Sequence, residues 1–120
     1  MWGGINRRKF PRAGYPCRIT VRKKDHPDSI STQTENIGIG GICIEIPRDL
    51  GIFAPVEIQL DLRDGQPVVM CDGTIMWVVG KKSEKTKTYD TGIEFTNLKR
   101  KDLDRINFIV EKILEELKEK

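Results

Sequence analysis

Apolar and polar residues alternate one by one through much of the middle of the chain. From Val56 to Arg63 every second residue is apolar, and the residues between are charged or carry an amide. This period of two predicts β-strands with one face in a core and the other in water. The residues expected on the core faces of the strands are Tyr15, Cys17, Ile19, Val21, Ile42, Ile44, Ile46, Val56, Ile58, Leu60, Leu62, Val69, Cys71, Gly73, Ile75, Trp77, Val79, Tyr89, Thr91, Ile93 and Phe95.

Short segments rich in turn-forming residues separate these strands. Glycine, proline and aspartate favour tight turns, and they interrupt the alternation repeatedly. The breaks fall at His26–Asp28, Gly38–Gly41, Pro47–Gly51, Asp64–Gly65 and Gly80–Lys82. The β-branched, polar stretch 29–35 predicts one more strand. Many short strands with little helix indicate an all-β, mainly antiparallel barrel or sandwich.

The pattern changes at the C-terminal end of the chain. Apolar residues recur there at steps of three and four, which predicts an amphipathic helix with one apolar stripe. The stripe comprises Leu103, Ile106, Ile109, Val110, Ile113, Leu114 and Leu117. We expect it to pack on the barrel. Pairing of part of it with another subunit is a second interpretation, so monomer and homodimer both stay open.

Length and composition indicate a folded protein of one domain, and the charges are unevenly distributed along the chain. The chain has 120 residues and a net charge of +3, and its mean hydropathy is −0.44, which suits one globular domain. Residues 1–24 include eight basic and no acidic side chains, whereas residues 25–98 carry a net charge of −6. An all-basic segment predicts an anionic partner.

Cysteines and hydropathy bear on the compartment. Cys17, Cys43 and Cys71 are odd in number, widely spaced and surrounded by apolar residues, so we expect buried thiols in a reducing cytosol. His26 is the only histidine, and we predict neither a metal site nor a cofactor. No apolar run reaches bilayer length and no signal peptide is evident, so the expected location is cytoplasmic, without membrane insertion.

No set of side chains suggests catalysis. Nucleophilic catalysis needs a Ser or Cys beside a base that a third group positions. His26 sits next to Pro27 in a predicted turn, and the carboxylates are scattered over strands and turns. We therefore expect a protein that is not an enzyme and has no catalytic residues.

Two motifs point instead to ligand binding. Arg8-Lys9-Phe10-Pro11-Arg12 places two guanidinium groups four residues apart in a non-helical segment. Such groups suit phosphate or the O6/N7 edge of guanine. The second motif, Asn36-Ile37-Gly38-Ile39-Gly40-Gly41, offers an amide, and its glycines leave room near the backbone. Taken singly, the first also fits a basic tail and the second a tight turn with positive φ.

In combination the motifs resemble the PilZ domain family of bacterial cyclic di-GMP receptors. That family carries Arg-x-x-x-Arg followed by (Asp/Asn)-x-Ser-x-x-Gly, and Arg8, Arg12, Asn36 and Gly41 match the defining positions. Two later strands are also similar to family strands. Gly73-Thr74-Ile75-Met76-Trp77 resembles Gly-x-Val-x-Trp, and Gly92-Ile93-Glu94-Phe95 resembles Gly-Val-x-Phe.

The resemblance implies both a fold and a ligand site. It implies a six-stranded β-barrel with a C-terminal helix, in which residues 1–13 form a flexible basic arm, 14–98 the barrel and 99–120 the helix. Arg8 and Arg12 would contact phosphate and the guanine Hoogsteen edge of cyclic di-GMP. Asn36 would hydrogen-bond a guanine, and Gly41 would allow close backbone approach.

The chain departs from the family pattern at Gly38, which stands where the family has Ser. A lost hydroxyl hydrogen bond is worth about 0.5–1.5 kcal/mol, or roughly three- to tenfold in affinity. The Gly38 backbone N–H remains, and an ordered water can replace the hydroxyl. Arg7 is an extra cation before the first motif. Our hypothesis is that it contacts a second, intercalated ligand molecule; a solvated Arg near a phosphate is the alternative.

These expectations define a cyclic di-GMP receptor or adaptor. Ligand binding would order the arm and change the surface offered to an unidentified downstream protein, and the domain would act in trans or belong to a longer chain. The alternative is a PilZ-like protein-interaction module that binds no nucleotide, for which Gly38 is the main support. A nucleic-acid-binding barrel is disfavoured because most of the few aromatic residues lie on predicted apolar strand faces or in the helix.

Overall fold

The computed structural model describes residues 12–83 and 85–118, with the side chains of Arg12 and Lys118 left out. Within these residues, seven strands precede one helix. They are β1 (Arg12–Ala13), β2 (Arg18–Lys23), β3 (Ser29–Gly38), β4 (Gly41–Ile46), β5 (Pro55–Asp61), β6 (Val69–Lys82) and β7 (Lys87–Phe95), followed by α1 (Arg100–Lys118).

The strands form one antiparallel sheet that closes into a barrel. The order runs β3-β2-β5-β6-β7-β4, and β4 returns to pair with β3. β1 lies outside this ring of six and pairs with the end of β3 that β2 does not reach. The predicted all-β, six-stranded barrel with a C-terminal helix is confirmed.

The core consists of the inward side chains of the strands. In β5, Val56, Ile58 and Leu60 are buried and the residues between them are exposed, as the alternation predicts. Cys17 and Cys71 are buried free thiols. Burial raises the pKa of Cys17 to about 11 and that of Cys71 to about 12, so both thiols stay protonated at neutral pH.

β6 departs from the predicted alternation at Met76. Ile75 pairs with Ile93, but the next pair is Trp77 with Gly92, so Met76 is an extra residue in β6. Such a bulge turns the residues that follow it to the opposite face. Trp77 therefore faces outward with Gly92, and Val79 is 53% exposed. The prediction that Trp77 and Val79 share the core face of Ile75 was wrong.

α1 packs across the barrel beside β1 and β3. Ile106 and Val110 from its stripe are fully buried in the core, which confirms packing on the barrel. Further along, Leu117 is 61% exposed, so the last turn of the stripe is not covered by the barrel. The described residues include no helix long and apolar enough to cross a bilayer.

Candidate ligand site

The two sequence motifs meet where β1 pairs with β3. The backbone of Arg12 lies opposite Gly38, and Ala13 lies opposite Ile37. Ala13 and Ile37 are both buried, so this pairing is anchored in the core. The end of the first motif thus lies beside the middle of the second. The sheet also begins two residues before the arm boundary expected from the sequence.

The first motif is only partly described. Arg7 and Arg8 lie outside the described residues, as does the side chain of Arg12. What the structure adds is the register of Arg12 against Gly38, which fixes where the arm joins the barrel.

The second motif forms the tip of the β3–β4 hairpin. The register passes from Thr34 opposite Ile44 to Asn36 opposite Cys43, so Glu35 is the extra residue of a bulge. Asn36 is half-buried and Gly38 is buried. Among the described glycines, positive φ occurs at Gly51 and Gly65. The glycines of this motif are therefore not explained by a positive-φ turn.

The packing of the barrel explains why residue 41 is a glycine. A Cβ at this position would overlap the backbone carbonyl of Ile93 on β7. The missing side chain therefore lets β4 and β7 approach each other closely. The space beside Gly41 is filled by a strand of the barrel, which differs from the ligand approach that the family resemblance implied for it.

One row of residues crosses the outer face of four neighbouring strands. Asn36 pairs with Cys43, Cys43 pairs with Gly92, and Gly92 pairs with Trp77. Directly paired residues share a face of the sheet, and strands are spaced at about 4.8 Å. The row therefore spans up to about 14 Å from the amide of the second motif to the indole.

Trp77 lies over Gly92 within this row. A Cβ at Gly92 would overlap the Nε1, Cε2 and Cδ1 atoms of the indole. The half-buried indole thus rests against the backbone of β7, and the outer face gains an aromatic surface in line with Asn36. Sequence reasoning placed Trp77 on a core face and in a family-like strand, and gave it no role in the site. A Trp paired with a Gly on the neighbouring strand would have indicated this contact, but the bulge at Met76 changes the register, so the pair could not be found from the sequence.

An acidic cluster lies beside this row. Carboxylate oxygens of Glu35, Glu45 and Asp90 all lie within 4.8 Å of one another. Lys81 Nζ lies 3.6 Å from Asp90 and 3.8 Å from Glu45. Asp90, and then Glu45, raise the pKa of Lys81. The cluster makes this part of the outer face acidic and unfavourable for phosphate.

The aromatic residues follow the sequence prediction only in part. Tyr15 and Phe95 are half-buried and pack against the core, as predicted. Phe53 is 70% exposed and Phe108 is 66% exposed, so core packing does not account for them. The argument against nucleic acid that rests on aromatic placement is weaker for these two residues.

The closed barrel and its C-terminal helix define a small β-barrel domain in which β1 brings the two motifs together. The family profile described as PilZ domain matches residues 6–112, and the chain belongs to that family. PilZ domains are receptor and adaptor modules. No curated protein sequence matches the chain.

Solved structures share the fold at low sequence identity. The "PilZ domain with c-di-GMP of YcgR from Escherichia coli" is 17% identical, with a TM-score of 0.68 over 94% of this chain and 95% of that one. K. pneumonia MrkH in its apo state is 16% identical, with a TM-score of 0.73 over 90% and 50%. The Bacillus subtilis inhibitor of motility, MotI/DgrA, is 10% identical, with a TM-score of 0.72 over 87% and 49%. The chain spans about half the length of the MrkH and MotI/DgrA chains.

Proposed function

We propose that the protein is a cyclic di-GMP receptor whose ligand binds between the N-terminal arginine arm and the outer face of the barrel. The observation that carries the proposal is the β1–β3 register, which places Arg12 opposite Gly38. The two halves of the family's binding signature are thereby neighbours in space. PilZ structures of YcgR and MrkH with the same fold contain cyclic di-GMP, which supports this choice of ligand.

The matched residues Arg8, Arg12 and Asn36 each have a chemical role in this proposal. Arg8 and Arg12 fork to phosphate and to the guanine Hoogsteen edge. Asn36 hydrogen-bonds a guanine, and the backbone N–H of Gly38 stands in for the missing hydroxyl. Trp77 offers a surface on which a base can stack, and stacking is worth about 1–3 kcal/mol per base.

The proposed switch is the ordering of the arm. Residues 1–24 carry eight basic and no acidic groups, and self-repulsion disfavours a fixed arm without ligand. Phosphates neutralise the arginines, and charge-assisted hydrogen bonds then hold the arm, here residues 1–13, against the barrel of residues 14–98 and the helix that follows. The protein signals in this way, as a cytoplasmic adaptor without catalysis, to a downstream protein.

Calorimetric titration with cyclic di-GMP tests the proposal. Arg8→Ala and Arg12→Ala should each abolish binding or weaken it severely. Arg48→Ala is the matched control, since Arg48 lies in a different part of the barrel, where its half-exposed side chain is 4.0 Å from Asp28. Equal loss in all three variants would point to a general effect of positive charge and would contradict a specific site.

Stoichiometry tests the role of Arg7. If Arg7 contacts a second, intercalated ligand molecule, the parent protein binds two molecules per chain and Arg7→Ala lowers that number. One ligand per chain, unchanged by Arg7→Ala, would show that Arg7 is a solvated cation.

A protein-interaction module that binds no nucleotide is the second candidate, and Gly38 favours it. Absence of heat at high concentrations of cyclic di-GMP would support this alternative. Gly38→Ser separates the two candidates further, because a receptor weakened by the lost hydroxyl should gain roughly three- to tenfold in affinity.

A further inference from the structure

An apolar groove runs along one side of α1, and its lining residues are distinct from those of the proposed ligand site. Its volume is about 660 Å³, and its apolar lining comes from Tyr15, Phe108, Ile109 and Ile113. Tyr15 is held in place because its hydroxyl donates to the carbonyl of Leu62 at 2.8 Å. The groove is thus a shaped surface between a fixed ring and the helix.

The barrel leaves this side of the helix uncovered. Ile106 and Val110 are buried in the core, whereas Phe108 is 66% exposed. Ile109 and Ile113 are only partly buried. A large aromatic side chain exposed beside partly buried isoleucines is typical of a surface that another segment covers.

The first eleven residues of the chain have the composition and position to cover it. They lead into β1, which packs beside α1, and Tyr15 of the groove follows two residues after β1. The segment includes Trp2 and Ile5 and has three basic and no acidic residues. The groove carries the acids Asp64, Asp104 and Glu116 against the bases Arg105 and Lys112. Its lining is therefore net acidic by one charge, opposite in sign to the segment.

The reach of the segment is sufficient. Trp2 precedes Arg8 by six positions, and an extended chain of that length spans about 20 Å. The groove follows α1 from Asp104 to Glu116, a rise of about 18 Å. The tether is therefore as long as the groove even when Arg8 is held beside β1.

We propose that the N-terminal segment docks Trp2 and Ile5 into this groove when its arginines bind cyclic di-GMP. The inference rests on the proposed function, since cyclic di-GMP holds the arginines next to β1 and so raises the effective concentration of Trp2 at the groove. Ligand binding then hides an apolar surface that the free protein exposes. A downstream partner distinguishes the free from the ligand-bound protein by whether this surface is exposed.

Fluorine NMR on the full chain labelled with 5-fluorotryptophan tests the docking. The chain has two tryptophans, and Trp2→Phe identifies the Trp2 signal while Trp77 stays intact. On addition of cyclic di-GMP the Trp2 signal should lose its H₂O/D₂O solvent-isotope shift. Phe108→Ser should prevent this loss. Because Phe108 is exposed, the substitution should not disturb the fold. Glu115→Ser, an exposed change on the same helix, is the control and should behave as the parent.

Coupling gives a second readout. Because docking and ligand binding stabilise each other, Phe108→Ser should weaken cyclic di-GMP binding by about fivefold, at the low end of common coupling factors. Ile5→Ser should do the same, and the double variant should lose no more than either single variant if the two side chains meet.

Three results would overturn the inference. Full ligand binding by calorimetry with a solvent-exposed Trp2 would leave the receptor function standing without docking. A dimer in sedimentation that Phe108→Ser converts to monomer, with Trp2 still exposed, would assign the groove to a second copy. Absence of ligand heat would remove the proposed function, and with it ligand-dependent docking.

Discussion

Arg105 links the helix to the barrel, and its replacement by Met is our most detailed prediction. Its Nε and Nη2 atoms donate to the two carboxylate oxygens of Asp64 at 2.9 and 2.8 Å, and Nη1 donates to Asp102 at 2.9 Å. Asp64 lies in the loop between β5 and β6, whereas Asp102 lies in the first turn of α1. One side chain therefore joins the start of α1 to the barrel.

The size of the effect follows from burial. Asp102 is 5% exposed, and the Arg105 side chain is 18% exposed. Arg105→Met keeps the length of the side chain but leaves Asp102 as a buried carboxylate without this cation. Removing one partner of a buried ion pair costs about 3–5 kcal/mol, and partial exposure of the Asp64 side of the network places our expectation at about 3 kcal/mol.

Urea denaturation followed by circular dichroism measures this loss in the free energy of unfolding. In a thermal scan, a loss of about 3 kcal/mol should lower the melting temperature by roughly 10 °C in a domain of this size. Arg100→Met is the matched control, because Arg100 pairs with Asp104 on the same helix with its side chain 87% exposed. Such surface pairs contribute about 0.3–0.5 kcal/mol. If the two variants differ by less than about 0.5 kcal/mol, the helix is not held by Arg105 and our reasoning fails.

Two further predictions concern the outer face and acid stability. Gly92→Ala forces the Trp77 indole to move, so it should lower the free energy of unfolding by about 1–3 kcal/mol and shift tryptophan emission. Gly80→Ala is the control, because a Cβ there meets only ordinary contacts, and it should lower the free energy of unfolding by less than about 0.5 kcal/mol. Equal losses in the two variants would refute the contact between Trp77 and Gly92. The hydrogen bond from Arg105 lowers the pKa of Asp64. The ionised Asp64 therefore stabilises the fold above its unfolded pKa of about 3.9, and this stabilisation is lost as the pH falls through the lower folded pKa. Asp64→Asn should flatten this acid limb of the stability curve, and an unchanged limb would contradict the assignment.

The sequence predicted most of the barrel because alternation reports burial directly. Val56, Ile58 and Leu60 follow a period of two without interruption, and they are buried as expected. The bulge at Met76 could not be predicted, because an extra residue in a strand leaves no compositional mark. It reversed the face of Trp77, which is why sequence reasoning assigned that residue to the core.

The candidate site shows the same limit. Asn36 and Gly41 were found as a motif, but only the register reveals that Gly41 faces the carbonyl of Ile93. The helix stripe was also found from its period, yet which part the barrel covers depends on the docking angle of α1. Period gives the face that an element buries, and tertiary packing decides how much of that face is covered.

Calorimetric titration of the full chain with cyclic di-GMP is the decisive test of the proposed receptor function. We predict saturable binding at micromolar ligand or below, with no comparable heat from GTP or an oligonucleotide. Binding of the oligonucleotide but not of cyclic di-GMP, or no heat from the dinucleotide at high concentration, would show that the protein is not a cyclic di-GMP receptor.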